Sequence, residues 1–148
     1  MVEPVWLLDV NILVALLWRP HSHHRVAQSW FDSRRRRRWA SCPITQAGFV
    51  RIIGNPQAQA AGVSPRDALR ALEESVARSH HEFWADDLPL AEALAPVAER
   101  LRGHRQITDA YLLGLTLRRG GRLATFDRGV LALLPEGHPA RKHVDLIQ

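Results

Sequence analysis

Two short, mostly apolar runs, each closed by an aspartate, set the strongest limit on how this chain can fold. Val5-Trp6-Leu7-Leu8 leads into Asp9, and Leu123-Ala124-Thr125-Phe126 leads into Asp127. A run of this length without polar alternation suits a strand covered on both faces, as in a parallel sheet between helical layers. Between the two runs the pattern is mainly helical. The chain stays apolar from Asn11 to Trp18 and halts at Pro20, which predicts a short helix, and His21 to Arg35 carries Val26, Ala27, Trp30 and Phe31 at helical spacing. Trp39 to Cys42 reads as a short strand, and Pro43 opens a helix that runs to about Ile53 and breaks at Gly54-Asn55-Pro56.

Further along, Ser64-Pro65-Arg66-Asp67 combines a capping serine, a first-turn proline and a carboxylate at the positive end of the helix dipole, ahead of Ala68, Leu69, Leu72 and Val76. Glu82 to Ala85 reads as a strand. Leu90, Leu94, Val97 and Leu101 recur at spacings of four, three and four, which predicts one amphipathic helix. Ile107 to Arg118 is apolar on most of its circumference, so it belongs either at the centre of the fold or at a subunit interface, and Gly120-Gly121 stops it. His143 to Ile147 adds an edge strand. Helices alternating with short buried strands predict an α/β domain with a mainly parallel sheet, and residues 1–148 read as a single domain.

Composition narrows the partners. The formal net charge of +5 favours a polyanion, nucleic acid above all, or an acidic protein. The lone Cys42 cannot form an intramolecular bridge and fits a reducing compartment; no export signal is evident, and the cytoplasm is expected. Val5 to Trp18, the most apolar stretch, is interrupted by Asp9 and Asn11 and falls short of the ~20 residues of a membrane helix, so no membrane association is expected.

Asp9 and Asp127 both sit where open α/β sheets bind ligands, beyond the carboxyl ends of strands. Asp109 follows Thr108 at the start of a helix, where the dipole holds a carboxylate. If the two strands are neighbours and that helix begins beside them, three carboxylates meet at one rim. Such a cluster repels itself and loses hydration unless a cation compensates. Oxygen ligands with open positions suit Mg2+ or Mn2+ carrying a phosphate substrate, and such an ion lowers the pKa of bound water. Hydrolysis of a phosphodiester is the chemistry this pattern predicts.

Four segments together resemble the signature blocks of PIN-domain VapC toxins: Leu7-Leu8-Asp9-Val10-Asn11 followed by an apolar helix, Ile44-Thr45-Gln46-Ala47-Gly48-Phe49-Val50-Arg51, Ile107-Thr108-Asp109-Ala110-Tyr111-Leu112, and Ala124-Thr125-Phe126-Asp127. Their order and spacing match over nearly the whole chain. The resemblance implies an α/β/α sandwich, a Mg2+-dependent endoribonuclease leaving a 5′-phosphate and a 3′-hydroxyl, a homodimer, and control by a cognate antitoxin. It further implies that Asp9 and Asp109 bind metal, that Asp127 completes the site partly through water, and that Asn11 and Thr125 orient these carboxylates. In the second block the family usually carries an acid where this chain has Gln46. An amide can offer a carbonyl oxygen or orient a metal-bound water, but with one charge fewer, which lowers the expected metal affinity.

The remaining features are weighed against plainer readings. Arg34, Arg35 and Arg36, within the run from Arg34 to Arg38, could hold RNA or simply end a helix in solvent. Arg51 could reach RNA phosphates or pair with an acidic neighbour. His21, His23 and His24 are close in sequence but no carboxylate or cysteine completes a metal-ligand set at the usual spacing, so they are read as surface residues. Of Trp6, Trp18, Trp30, Trp39 and Trp84, four are read as core rather than as base-stacking platforms. Two other functions compete with cleavage. A degenerate PIN module could bind RNA or antitoxin without cutting, and an enzyme of the haloacid dehalogenase type could use the strand-end aspartate as nucleophile, although Asn11 stands where that chemistry needs an acid.

Overall fold

The two apolar runs lie side by side at the centre of one sheet. In the computed structural model, which describes residues 3–34, 38–57, 62–78 and 80–148, β1 (Trp6–Leu8) pairs in parallel with β4 (Arg122–Thr125), Leu8 opposite Ala124. On the other side of β1 lies β2 (Trp39–Ser41), followed by β3 (His81–Phe83); β5 (Val144–Leu146) pairs with β4. The order is β3-β2-β1-β4-β5 and every pairing is parallel. Parallel neighbours need crossover connections, and helices supply them.

Alternation along the strands divides the core in two. Trp6, Leu8, Trp39 and Ala124 face one side, where they pack with residues of α1 (Val10–Leu17), α2 (His24–Asp32), α3 (Pro43–Ile53) and α4 (Pro65–Arg78). Leu7, Ala40 and Leu123 face the other, against α5 (Leu90–Leu94), α6 (Ile107–Arg119) and α7 (Arg128–Ala132). The result is a three-layer α/β/α sandwich, as expected. Trp6, Trp30, Trp39 and Trp84 are buried, in keeping with their reading as core. Helix α6 is central: every residue from Ala110 to Thr116 is buried within this chain, so the expected homodimer draws no support from its apolar circumference. No helix among the described residues is long and apolar enough to cross a membrane.

One predicted element is corrected. The Leu90 to Leu101 helix stops as an α-helix at Leu94 and continues as a 3-10 helix over Ala95–Arg100. Pro96 is the cause: it has no N–H to donate, and its ring crowds the carbonyl four residues back. Among the described residues, three short elements form that no apolar periodicity marked: a 3-10 helix over His104–Gln106, α7, capped by Asp127, and a 3-10 helix over Pro139–His143.

Candidate active site

The strand order reverses between β1 and β4: chain order runs one way through β2 and β3 and the other way into β4 and β5. At such a switch point the crossover helices leave on opposite faces and open a crevice at the strands' carboxyl ends. Asp9 and Asp127 stand at that crevice, and the Asp9 N–H donates to the Ala124 carbonyl at 3.0 Å, which ties the end of β1 to β4.

Asp9 is buried, with 7% of its surface exposed, and it caps α1. Its Oδ1 accepts from the Val10 N–H at 2.7 Å and its Oδ2 from the Thr125 hydroxyl at 2.8 Å. The same Thr125 oxygen accepts from the Asp127 N–H at 3.0 Å, so one fully buried hydroxyl locks the first and third acids together. Thr125 thus bonds both to the Asp9 carboxylate and to the Asp127 backbone. Asp127 is exposed, and its Oδ1 caps α7 by accepting from the Gly129 N–H at 2.7 Å. Asp109 lies half-buried in the first turn of α6.

The three carboxylates feel one another. Burial raises Asp109 to about 6, helped by the charges of Asp9 and Asp127. Burial also raises Asp9; its hydrogen bonds from Thr125 and Val10 oppose this, and the charge of Asp127 adds to it. Among the described residues, no arginine, lysine or histidine forms an ion pair with any of the three. No ion pair among the described residues compensates this concentration of negative charge.

This arrangement has a consequence for stability. A carboxyl whose pKa is raised by folding binds its proton more tightly in the native state, so ionising it costs stability as pH rises from its unfolded to its folded value. For Asp109 that window runs from 3.8 to about 6. Metal-free protein with Asp109→Asn is expected to melt above the unsubstituted protein at pH 7.5, with the difference shrinking toward pH 4.5. Calorimetric melting across that range checks it; a variant less stable at pH 7.5 would contradict the repulsion.

The other expected site residues fall elsewhere. Asn11, expected to orient the carboxylates, is exposed in the first turn of α1 and makes no hydrogen bond to any of them. Val10 and Thr125 hold Asp9 in its place, because the capping backbone N–H and the buried hydroxyl already take one oxygen each. Gln46 turns to β2, where its Nε2 donates to the Ser41 hydroxyl at 3.0 Å, and Ser41 lies 2.7 Å from His81 Nε2. No hydrogen bond joins Gln46 to the aspartates. Arg34 stacks over Trp6 and Trp30, at 5.6 and 5.5 Å from the ring centroids, and lies 3.7 Å from Asp145, so it is chiefly part of the packing. Arg35 and Arg36 lie outside the described residues. Arg51 is exposed on α3 at the edge of an open groove of about 480 Å3 that Val10, Ile44 and Thr108 also line. Val10 and Thr108 are the chain neighbours of Asp9 and Asp109, so this groove adjoins the acids. The sequence analysis missed the α7 cap at Asp127; the signal was Asp127-Arg128-Gly129, a carboxylate two residues before a free N–H.

The PIN domain family pattern matches residues 6–135, a span that includes all three aspartates. The chain is 46% identical over 127 residues to ribonuclease VapC38 of Mycobacterium tuberculosis, covering 86% of this chain and 88% of that one. The chain belongs to the PIN-domain family, among the VapC proteins. Ribonuclease VapC39 of the same organism is 43% identical over 82% of this chain and 87% of its own, and ribonuclease VapC44 is 40% identical over 84% and 87%. Among solved structures, this PIN domain resembles FitAcB from Neisseria gonorrhoeae, with a TM-score of 0.57 and 21% identity over 87% of this chain and 93% of that one. It also resembles PAE2754 from Pyrobaculum aerophilum, with a TM-score of 0.55 and 24% identity over 88% and 79%. These two likenesses concern the fold alone.

Proposed function

We propose that this PIN domain is a Mg2+-dependent endoribonuclease, the toxin of a VapBC-type pair, acting in the cytoplasm and held in check by a cognate antitoxin. The observation that carries the reading is the cluster of Asp9, Asp109 and Asp127 at the sheet's switch point, in a chain whose relatives are named ribonucleases.

The donor set fits a hard divalent ion. All its atoms are carboxylate oxygens, and the half-buried Asp109 would shed its proton readily once a cation relieved the repulsion. Among the described residues no group of three or more His, Cys, Asp and Glu is gathered tightly enough to hold an ion directly. Asp9 and Asp109 would hold such an ion directly and Asp127 through water, in the manner of an ion that keeps much of its hydration shell. When bound, such an ion supplies a water of lowered pKa and offsets the charge that grows on a phosphodiester. The protein's own share is positional. Thr125 and the Val10 N–H fix the plane of the Asp9 carboxylate, the Gly129 N–H holds Asp127, and the start of α6 presents Asp109 to the same crevice. Basic residues in excess draw RNA toward this negative centre.

The test is cleavage of a structured RNA by purified, antitoxin-free protein. Scission with Mg2+ or Mn2+ and none in EDTA is expected. RNA binding without scission under either condition would make the protein a non-cleaving module, and undiminished scission in EDTA would remove the metal from the reading.

A further inference from the structure

The histidines that sequence reading left on the surface form part of a ring ladder beside the acids. The turn before α2 carries His21 and His23, whose rings meet edge to face at 5.7 Å between centroids. His23 in turn meets Phe126 edge to face at 5.4 Å. Phe126 is the residue before Asp127 in the chain, so the ladder ends at the rim of the carboxylate cluster. The ladder is held in shape from the backbone: the His23 N–H donates to His21 Nδ1 at 3.0 Å, and the neighbouring His24 Nδ1 lies 2.8 Å from the Ala15 carbonyl of α1. His23 is exposed, whereas Phe126 is partly buried against the α1–α4 side of the core. Arg25, two residues after His23 in the chain, lines with Ser29 and Trp30 an open groove of about 540 Å3 between α2 and β5.

The exposed His23 ring, resting edge to face on the partly buried Phe126, offers an aromatic surface to a planar ligand. No metal-holding group of His, Cys, Asp or Glu exists here among the described residues. Unpaired bases of single-stranded RNA stack on phenylalanine and histidine rings, and the same strand offers phosphates to arginines a few residues away. We propose that His23 and Phe126, braced by His21, form a nucleobase-stacking platform that holds an unpaired base of the RNA next to the scissile bond, with the neighbouring strand directed past Arg25 along α2. This rests on the ribonuclease reading and adds to it two residues that would bind the RNA beside the cut. His23 and Phe126 are substrate-binding residues here, with no part in the chemistry.

The experiment measures binding of a 12-nucleotide single-stranded RNA of random sequence in EDTA, by fluorescence anisotropy, beside a ribose-phosphate strand of the same length without bases. Stacking of one base is worth roughly 1–3 kcal/mol, so His23→Ala and Phe126→Leu are each expected to weaken binding of the RNA by about 5- to 150-fold. Both should leave the baseless strand unaffected, and His23→Phe should retain the affinity for RNA. His23 is exposed, so its substitution spares the fold, and Phe126→Leu keeps the apolar contact while removing the ring. Unchanged RNA affinity in both variants, with the native protein still binding and cutting RNA, would overturn the platform and leave the nuclease standing. Equal losses on both strands would overturn it as well, because charge or shape and not stacking would then be responsible. Failure of the native protein to bind or cut any RNA would remove both.

Discussion

Replacing Asp9 by asparagine is expected to leave the fold in place and to lower RNA cleavage by about a thousandfold or more. The amide has the volume of the carboxylate. Its oxygen can still accept from the Val10 N–H and cap α1, and its NH2 can turn to Thr125, whose hydroxyl oxygen can accept as well as donate. What goes is one of the two charges proposed to hold the divalent ion. Loss of several kcal/mol of transition-state stabilisation corresponds to a rate factor of this order. Because Asp9 is itself pushed up by burial, the substitution should also raise the melting temperature of the metal-free protein. The pair of measurements, cleavage rate and melting temperature, separates loss of chemistry from loss of structure. Full activity in Asp9→Asn would remove Asp9 from the site.

The second large effect is structural. Gly114 sits in the buried middle of α6, and a Cβ placed there would run into the carbonyl oxygen of Ala93 on α5. The obstacle is backbone, so no side-chain rotation relieves it. Gly114→Val is expected to push α5 off α6 and to open the cluster of Leu88, Ala93, Val97, Tyr111 and Leu115. A destabilisation of about 3 kcal/mol, at the upper end for overpacking, would lower the melting temperature by roughly 6–12 °C in a chain of this size. Since α6 also carries Asp109, the carboxylate cluster should loosen with it. Gly103→Ala is the control: nothing lies within 4 Å of its Cβ, and its extended backbone accepts any residue, so a near-neutral melt is expected. Equal melts for the two variants would show that the α5–α6 contact is not tight.

Much of the fold can be read before any coordinates are known. The runs ending in Asp9 and Asp127 announce themselves as buried strands because a strand covered on both faces must be apolar at successive positions. The Ser64-Pro65 start of α4 is equally plain, since the Ser64 hydroxyl accepts from the Asp67 N–H at 3.0 Å as a cap should. Where reading fails, a local rule outweighs a periodic one. Leu90 to Leu101 keeps helical spacing, but Pro96 turns its second half into a 3-10 helix.

Residue chemistry alone also misassigned contacts that depend on distant partners. Arg34 looks like a free cation until Trp6, Trp30 and Asp145, far apart in sequence, are found around it. Gln46 stands where the family usually carries an acid, and its Nε2 is tied to Ser41, which in turn lies against the distant His81. The ladder of His21, His23 and Phe126 spans more than a hundred residues of chain and has no sequence signature at all.

By itself, then, the amino-acid order determined the elements and the kinds of group at their ends, because burial on two faces, helix capping and proline geometry are local demands that each segment meets or fails alone. Which ends meet was decided only in three dimensions. Placing β1 against β4 brings acids from positions 9, 109 and 127 to one crevice and sets a histidine ring on Phe126 beside them. That placement follows from packing both faces of the sheet at once, a condition no single segment contains.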